Sequence, residues 1–183
     1  MSKPTEKVFR GLNQVKSYIE KNNFQTMYDL LEYGISGTNG EVITLSSKEI
    51  GSVTEMFYNS GILDQVLLNL TTIPSYMFTL VNISNIALPP NITKISGWAF
   101  ERSGVESIQI PESVVQIGSE AFRSCKNLKE LRIPRSVTSL SVQSTFYGCD
   151  NLKKVWIPLH LKGKVSKSRM CGSSKAITKF IYY

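Results

Sequence analysis

Residues 110–133 read IPESVVQIGSEAFRSCKNLKELRI, and the same order of side chains recurs on both sides of them. Upstream lies LPPNITKISGWAFERSGVESIQ at 88–109, downstream IPRSVTSLSVQSTFYGCDNLKKVW at 133–156, and Ile157-Pro158 opens a further copy. Counted from Leu88 to Ile110, Ile133 and Ile157, the periods are 22, 23 and 24 residues, within the range of repeat architectures. Each copy carries one apolar ladder: Ile95, Ile117, Leu140; Phe100, Phe122, Phe146; Val105, Leu128, Leu152; Ile108, Leu131, Val155. A unit this short cannot bury its own apolar side chains, so the copies must stack into one core with equivalent residues aligned.

The ladder extends in weaker form. Ile73, Phe78, Ile83, Ile86 and Leu88 fit the spacing, Phe57, Leu63, Val66 and Leu68 fit it again, and Ile43 and Ile50 open the earliest copy. At the other end Ile177, Phe180 and Tyr182 take the last apolar positions of a closing strand. The expectation is about six rungs.

The pattern I-P-x-S-V-x-x-I-G-x-x-A-F-x-x-C-x-x-L-x-x-L-x-I, cleanest in residues 110–133, resembles the BspA-like leucine-rich repeat over roughly residues 43–183. The resemblance implies an α/β leucine-rich-repeat solenoid, β-dominated, with short strands on two sides and little helix. Family members are commonly long, secreted or surface-anchored proteins used in adhesion and host contact. Short copies also occur in bacteriophage genomes, so the resemblance equally implies an intracellular factor directed at a partner.

The first residues follow another rule. Val8, Leu12, Val15 and Ile19 are spaced 4, 3 and 4 apart, which predicts one apolar helical stripe. Asn22 or Asn23 can cap a second helix through Phe24, Met27, Leu30 and Leu31, ending at Gly34. The domain reading is therefore an N-terminal helical cap over residues 1–38 and a solenoid over 39–183, the cap covering the apolar end of the stack.

Charge is unevenly spread. Residues 1–119 hold eight Lys and Arg against eleven Asp and Glu, and residues 120–183 hold thirteen against three, so a net charge of +7 is the sum of −3 and +10. The span from Met56 to Thr93 contains Asp64 and no other charged residue. A surface so poor in charge predicts a cover, either the N-terminal helices, a second copy of the chain in a homo-oligomer, or a partner.

Strand side chains alternate, so two outward columns follow. One runs Gln65, Asn85, Ser107, Glu130, Lys154, Lys179, and the other Leu67, Ala87, Gln109, Arg132, Trp156, Ile181. The candidate partner-binding residues are Gln109, Glu130, Arg132, Lys153, Lys154, Trp156 and Lys179. Trp156 beside Arg132, Lys153 and Lys154 has the composition of a binding hot spot; packing against the closing strand is the competing reading.

Catalysis finds little support. His160 is the single histidine and has no acid or nucleophile pattern beside it, the phosphate-loop spacing is absent, and the carboxylates recur in no pair suited to acid and base roles. No cofactor or metal is expected. Cys125, Cys149 and Cys171 form no CxxC pair; the first two occupy one repeat position, close enough to cross-link in an oxidising setting and otherwise a buried, reduced ladder. Asn69, Asn82 and Asn91 each open a glycosylation sequon. With no apolar run of membrane-spanning length and no signal-peptide pattern in residues 1–21, no membrane role is expected and the cytoplasm is the expected compartment.

The leading expectation is a protein-interaction module, phage- or host-directed, docking its solenoid face on an acidic partner surface. The alternatives are a nucleic-acid-binding accessory protein using the basic C-terminal residues, where the stretch 161–175 reads as a solvated insertion, or an exported surface adhesin.

Overall fold

The structure is a computed structural model that describes residues 46–59, 61–172 and 179–183, together with the backbone of two short strands, β1 (Ile35–Ser36) and β2 (Val42–Ile43). The helical stripes expected over residues 1–38 lie outside the described residues, as does Ile177. β1 and β2 form an antiparallel pair, followed by helices α1 (Ser47–Asn59) and α2 (Leu63–Leu68). The remainder is a right-through stack of short parallel strands.

Two walls build that stack. One is a four-stranded sheet of β3 (Thr72–Ile73), β5 (Lys94–Ile95), β7 (Gln116–Ile117) and β9 (Ser139–Leu140), in that order. The other wall comprises β4 (Asn85–Ala87) paired with β6 (Ser107–Gln109), then β8 (Glu130–Arg132), β10 (Lys154–Ile157) and β11 (Lys179–Tyr182). All these pairings are parallel and in register by repeat position, Ile95 against Ile117 and Val155 against both Leu131 and Phe180. The fold is thus a leucine-rich-repeat solenoid of about five strand-bearing coils.

The aromatic ladder lines up as the repeat requires. Phe78, Phe100, Phe122 and Phe146 are fully buried, with successive ring centroids 4.5, 5.4 and 6.1 Å apart and rings near parallel. Proline sets the corner after each strand on the second wall, since it has no N–H to continue a ladder. The same turn follows each time: the N–H groups of Ile92, Val114, Val137 and Leu161 donate to the carbonyls of Pro89, Pro111, Pro134 and Pro158. At the next position but one, a short polar side chain reaches back one coil. Ser113 donates to the Ile92 carbonyl and Ser136 to that of Val114, both at 2.7 Å.

Each Phe is flanked by two residues in the left-handed backbone region. Tyr76, Trp98, Glu120 and Ser144 precede it by two, while Leu80, Arg102 and Ser124 follow it by two. In the next coil the following position is Gly148, at φ 71°. A side chain in that region costs about 1–2 kcal/mol, and glycine's extra unfolded-state freedom returns about 0.5–1 kcal/mol of that. Arg102→Gly is therefore expected to stabilise the protein by about 0.5–1 kcal/mol, read as a higher urea midpoint. An unchanged or lower midpoint contradicts the strain argument.

The amino-terminal end departs from the repeat reading. Phe57, Leu63, Val66 and Leu68, expected as a degenerate strand copy, lie on or beside α1 and α2. Ile50 is on α1, and Ile43 belongs to the β1–β2 pair. Helix formation inverts one assignment: Leu67, expected outward, is buried, and Leu68 is 61% exposed. α1 buries Ile50, Gly51, Val53, Thr54 and Phe57, a helical spacing that faces the first coil. Its start is fixed by a capping box, in which the Ser46 backbone N–H and hydroxyl donate to the Glu49 carboxylate at 2.9 and 2.6 Å, and the Glu49 N–H donates to the Ser46 hydroxyl. α2 ends on Asn91, whose side-chain amide donates to the carbonyls of Leu67, Leu68 and Leu70. The amide nitrogen of that sequon is thereby engaged in the fold.

The hydrogen bonds from Ser46 hold the Glu49 carboxyl below its usual range. A depressed carboxyl stabilises the fold above its unfolded-state value and loses that contribution as pH falls through the folded value. Ser46→Ala is expected to cost about 1 kcal/mol at neutral pH. The wild-type advantage should shrink as pH drops below about 4; a difference in melting temperature that stays constant down to pH 3 contradicts it.

At the far end, the described part of the stretch 161–175, residues 161–172, is more than an insertion. After a 3-10 turn at Leu159–Leu161, α3 (Lys167–Cys171) buries Met170 and Cys171. The Phe78, Phe100, Phe122 and Phe146 N–H groups donate to the Ala99, Ala121, Thr145 and Met170 carbonyls, respectively, each in the next coil. Met170 therefore stands where Ala99 and Ala121 stand, and Cys171 closes the phenylalanine column. Lys162, Lys164, Lys167 and Arg169 remain on the exposed side.

Candidate docking face

The outward columns expected from alternation are present from Asn85 onward. Asn85 pairs with Ser107, and Glu130 with Lys154 and Lys154 with Lys179; alongside, Ala87 pairs with Gln109, and Arg132 with Trp156 and Trp156 with Ile181. Gln65 and Leu67 drop out of the columns because α2 replaces a strand there. Gln109, Glu130, Arg132, Lys153, Lys154 and Lys179 are exposed, and Trp156 is half-buried among them. The candidate residues thus lie on one wall, on β6, β8, β10 and β11, with Lys153 immediately before β10.

Ion pairing along this wall follows the coil axis. Glu106 pairs with Lys129 one coil on, and Glu130 with Lys154 at 3.1 Å. The acids of one coil are consumed by the bases of the next, and beyond Glu130 the face offers cations. These exposed pairs contribute at most about 1 kcal/mol each, so their weight is in setting the field rather than the stability.

Arg132 is held by an aromatic ring. Its guanidinium carbon sits 3.8 Å from the centroid of Tyr183, and that of Arg135 lies 5.1 Å from the same ring. Tyr183 is itself fixed: its hydroxyl donates to the Ile133 carbonyl at 2.6 Å, its N–H to Ile157, and its own carbonyl accepts from Leu159. A guanidinium stacked on a ring keeps its in-plane N–H donors free for a planar oxyanion. Lys154 lies 5.7 Å from the Trp156 ring, so cation and aromatic alternate across the patch, while Lys162 lies 5.6 Å from the ring of Tyr182, which packs against the core.

Tyr183 and Arg135 are absent from the sequence-derived set. The alternation that turns Lys179 and Ile181 outward also turns Tyr183 outward, which is the signal that finds it. Arg135 follows a proline corner, where alternation ends and no periodicity predicts its direction.

The cysteines take no part in this face. Cys125 and Cys149 stack in one repeat column, each thiol donating to a backbone carbonyl of the previous coil, Phe100 and Phe122, at 2.9 Å. Burial pushes all three thiols up, Cys149 to about 12 and Cys171 to about 11. Protonated, buried thiols are poor nucleophiles. His160 is exposed, with Nε2 placed 2.8 Å from the Val137 carbonyl. Among the described residues, no helix is long and apolar enough to cross a membrane, and no three His, Cys, Asp or Glu side chains gather to hold a metal ion.

Comparison with known proteins agrees with this geometry. A family model described as the BspA type leucine rich repeat region matches in 6 copies, over residues 5–102 and 48–169. Among solved structures, a leucine rich cell surface protein from Faecalibacterium prausnitzii superposes with a TM-score of 0.52 at 21% identity, over 62% of this chain and 30% of that one. A leucine-rich repeat protein from Bacteroides ovatus matches at 24% identity and a TM-score of 0.31, over 48% of this chain and 35% of that one. The chain thus spans about a third of the length of these neighbours. No curated protein matches it.

Proposed function

The chain belongs to the BspA type leucine rich repeat family, and on that premise we propose that it is a protein-interaction module whose docking strip is the outward face of β8, β10 and β11. The observation that carries this reading is the patch of Arg132, Arg135, Trp156 and Tyr183, flanked by Lys154 and Lys179. Aromatic and arginine side chains anchored in a rigid sheet are what hot spots are made of, because little conformational entropy is lost when they bind. The partner is a protein with an acidic contact surface, selected by the cations left over once Glu106 and Glu130 are paired. A leucine-rich-repeat family suggests an interaction role, and the reading is of capture without chemistry.

Three protonated, unpaired thiols suit a reducing compartment, and we place the protein in the cytoplasm. A surface-adhesion role is the second reading, favoured by the F. prausnitzii neighbour being a cell surface protein. The basic C-terminal residues also suit phosphate, which makes nucleic acid the rival to exclude.

The test is affinity capture from native host lysate with and without nuclease, comparing wild type with Trp156→Ala. One protein retained by wild type, insensitive to nuclease and lost from the variant supports the reading. Loss on nuclease treatment, with affinity falling 10³-fold or so between low and moderate salt, replaces it with nucleic-acid binding. Trp156→Ala should leave the melting temperature within about 2 °C; a large fall marks Trp156 as packing.

A further inference from the structure

On the wall of β8, β10 and β11, two of the lysines are already neutralised: Lys129 is paired with Glu106, and Lys154 with Glu130 at 3.1 Å. Arg132 and Arg135 differ. Both are exposed, and among the described residues neither makes an ion pair with a carboxylate. Glu130, two residues before Arg132, is turned to Lys154, and Glu112, in the coil before Arg135, instead accepts from the Ser136 N–H at 3.4 Å.

What the two arginines share is the Tyr183 ring. Their guanidinium carbons lie 3.8 and 5.1 Å from its centroid, and so no more than about 9 Å from each other. The ring is held in place by the hydroxyl bond to the Ile133 carbonyl and by the two backbone bonds of Tyr183 to Ile157 and Leu159. Two like charges are thus gathered on one fixed ring with no acid between them. Their repulsion opposes the arrangement in the free protein, and a bound anion relieves it.

We propose that Arg132 and Arg135, mounted on Tyr183, form a phosphoryl-binding site, and that the group it takes is a phosphorylated side chain of the partner protein. The inference rests on the reading of this wall as a docking strip for an acidic protein surface, and it names the acid. Charge selects it. A carboxylate brings one negative charge and two oxygens, which a single guanidinium satisfies through two parallel hydrogen bonds; the second arginine would be left over. A phosphomonoester brings about −1.5 to −2 at neutral pH and three acceptor oxygens, enough for both. One pair of its oxygens can face one guanidinium fork while the third meets the other arginine, the manner in which arginine clusters read phosphorylated motifs.

A nucleic-acid strand is the poorer match. Each of its phosphodiesters carries a single charge, and its affinity comes from cations strung along the backbone, whereas the neighbouring Lys129 and Lys154 are spent on Glu106 and Glu130. Trp156, in register with Arg132 on the adjacent strand, offers an apolar surface for the residues that flank the phosphorylated one.

The test uses the full-length chain and four end-blocked peptides, Gly-Gly-X-Gly-Gly, in which X is phosphoserine, phosphotyrosine, glutamate or serine. Each is titrated at neutral pH and constant salt and followed by the NMR signals of the arginine Nε–H groups. Both phosphopeptides are expected to bind about tenfold or more tighter than the glutamate peptide and to shift the Arg132 and Arg135 signals. Arg132→Gln and Arg135→Gln, at exposed positions, should each weaken phosphopeptide binding about tenfold or more. Lys164→Gln with Lys167→Gln, which removes two charges elsewhere in the basic region, should change it less than about twofold. Equal affinity for the glutamate peptide overturns the proposal, as does an equal loss in the lysine variant. A titration that shifts Arg169 and leaves Arg132 and Arg135 unmoved overturns it without recourse to any variant. Tighter binding of a short thymidine oligonucleotide through the same two arginines assigns the site to nucleic acid and also overturns it. Failure here is separable from failure of the docking strip. A captured partner that survives phosphatase treatment of the lysate yet is lost on Trp156→Ala keeps the strip and overturns the phosphoryl site. Phosphopeptide binding through Arg132 and Arg135, beside capture that Trp156→Ala leaves untouched, supports the site and counts against the strip.

Discussion

Phe122→Ala should be the most damaging single truncation in the chain, costing about 3–5 kcal/mol and lowering the melting temperature by on the order of 10 °C. The ring is fully buried and stacked on both sides, by Phe100 at 5.4 Å and Phe146 at 6.1 Å, so its removal opens a cavity in the middle of a column. A coil in a solenoid is held by its neighbours and cannot collapse inward alone, which limits how far the cavity can close. Phe122→Leu keeps most of the volume and forfeits the stacking, for an expected cost near 1.5 kcal/mol. Tyr147→Ala, at a residue 41% exposed beside the column, should shift the midpoint by less than about 0.5 kcal/mol. Urea unfolding orders the three variants, and a Phe122→Ala midpoint close to that of Tyr147→Ala contradicts the ladder.

The second large effect reverses a propensity rule. Gly51 lies within helix α1, where alanine is intrinsically better by about 1 kcal/mol. Yet a Cβ placed there would stand 1.8 Å from the Thr79 carbonyl oxygen and 2.9 Å from its carbon, and both are backbone atoms of the first coil that no rotamer change can move. The clash must win, by lifting α1 away from Thr79 and loosening the burial of Val53 and Phe57. Gly51→Ala is expected to destabilise by about 3 kcal/mol. Amide exchange in α1 should accelerate more than in β7 or β9. A stabilised variant would mean that α1 does not sit on the first coil.

These two sites mark where the sequence is legible and where it is not. Phe100, Phe122 and Phe146 could be aligned from spacing alone because each copy repeats the whole order of anchors, and a parallel stack permits only one register for such copies. Alternation within Lys153–Ile157 then placed Trp156 and Lys154 on the outside. Neither argument works at the amino-terminal end. Phe57, Leu63 and Val66 satisfy the repeat spacing as well as they satisfy a helix, and the deciding signals are polar: the Ser46 and Glu49 capping box, and the polar run Lys48, Ser52, Glu55 at helical intervals. Leu67 and Leu68 exchange inside and outside once α2 forms, because consecutive residues point about 100° apart on a helix and 180° apart on a strand.

Cys171 shows a different obstacle. It occupies the phenylalanine column with a side chain that shares neither size nor shape with phenylalanine, so only the Phe146 N–H bond to the Met170 carbonyl reveals the equivalence. The candidate face was half legible for a similar reason. Its strand residues obey alternation, but the Arg132–Tyr183 stack joins β8 to the residue after β11 across an intervening strand. No pairwise spacing encodes that contact.

The affinity of the captured partner for wild type, Trp156→Ala, Arg132→Ala and Val115→Ala, each shown to keep its melting temperature, bears most directly on the docking strip. The account predicts a loss of about 30-fold or more for Trp156 and Arg132, and less than about twofold for Val115, an exposed apolar residue on the opposite wall. Equal affinity for all four proteins, or a loss confined to Val115→Ala, would contradict it.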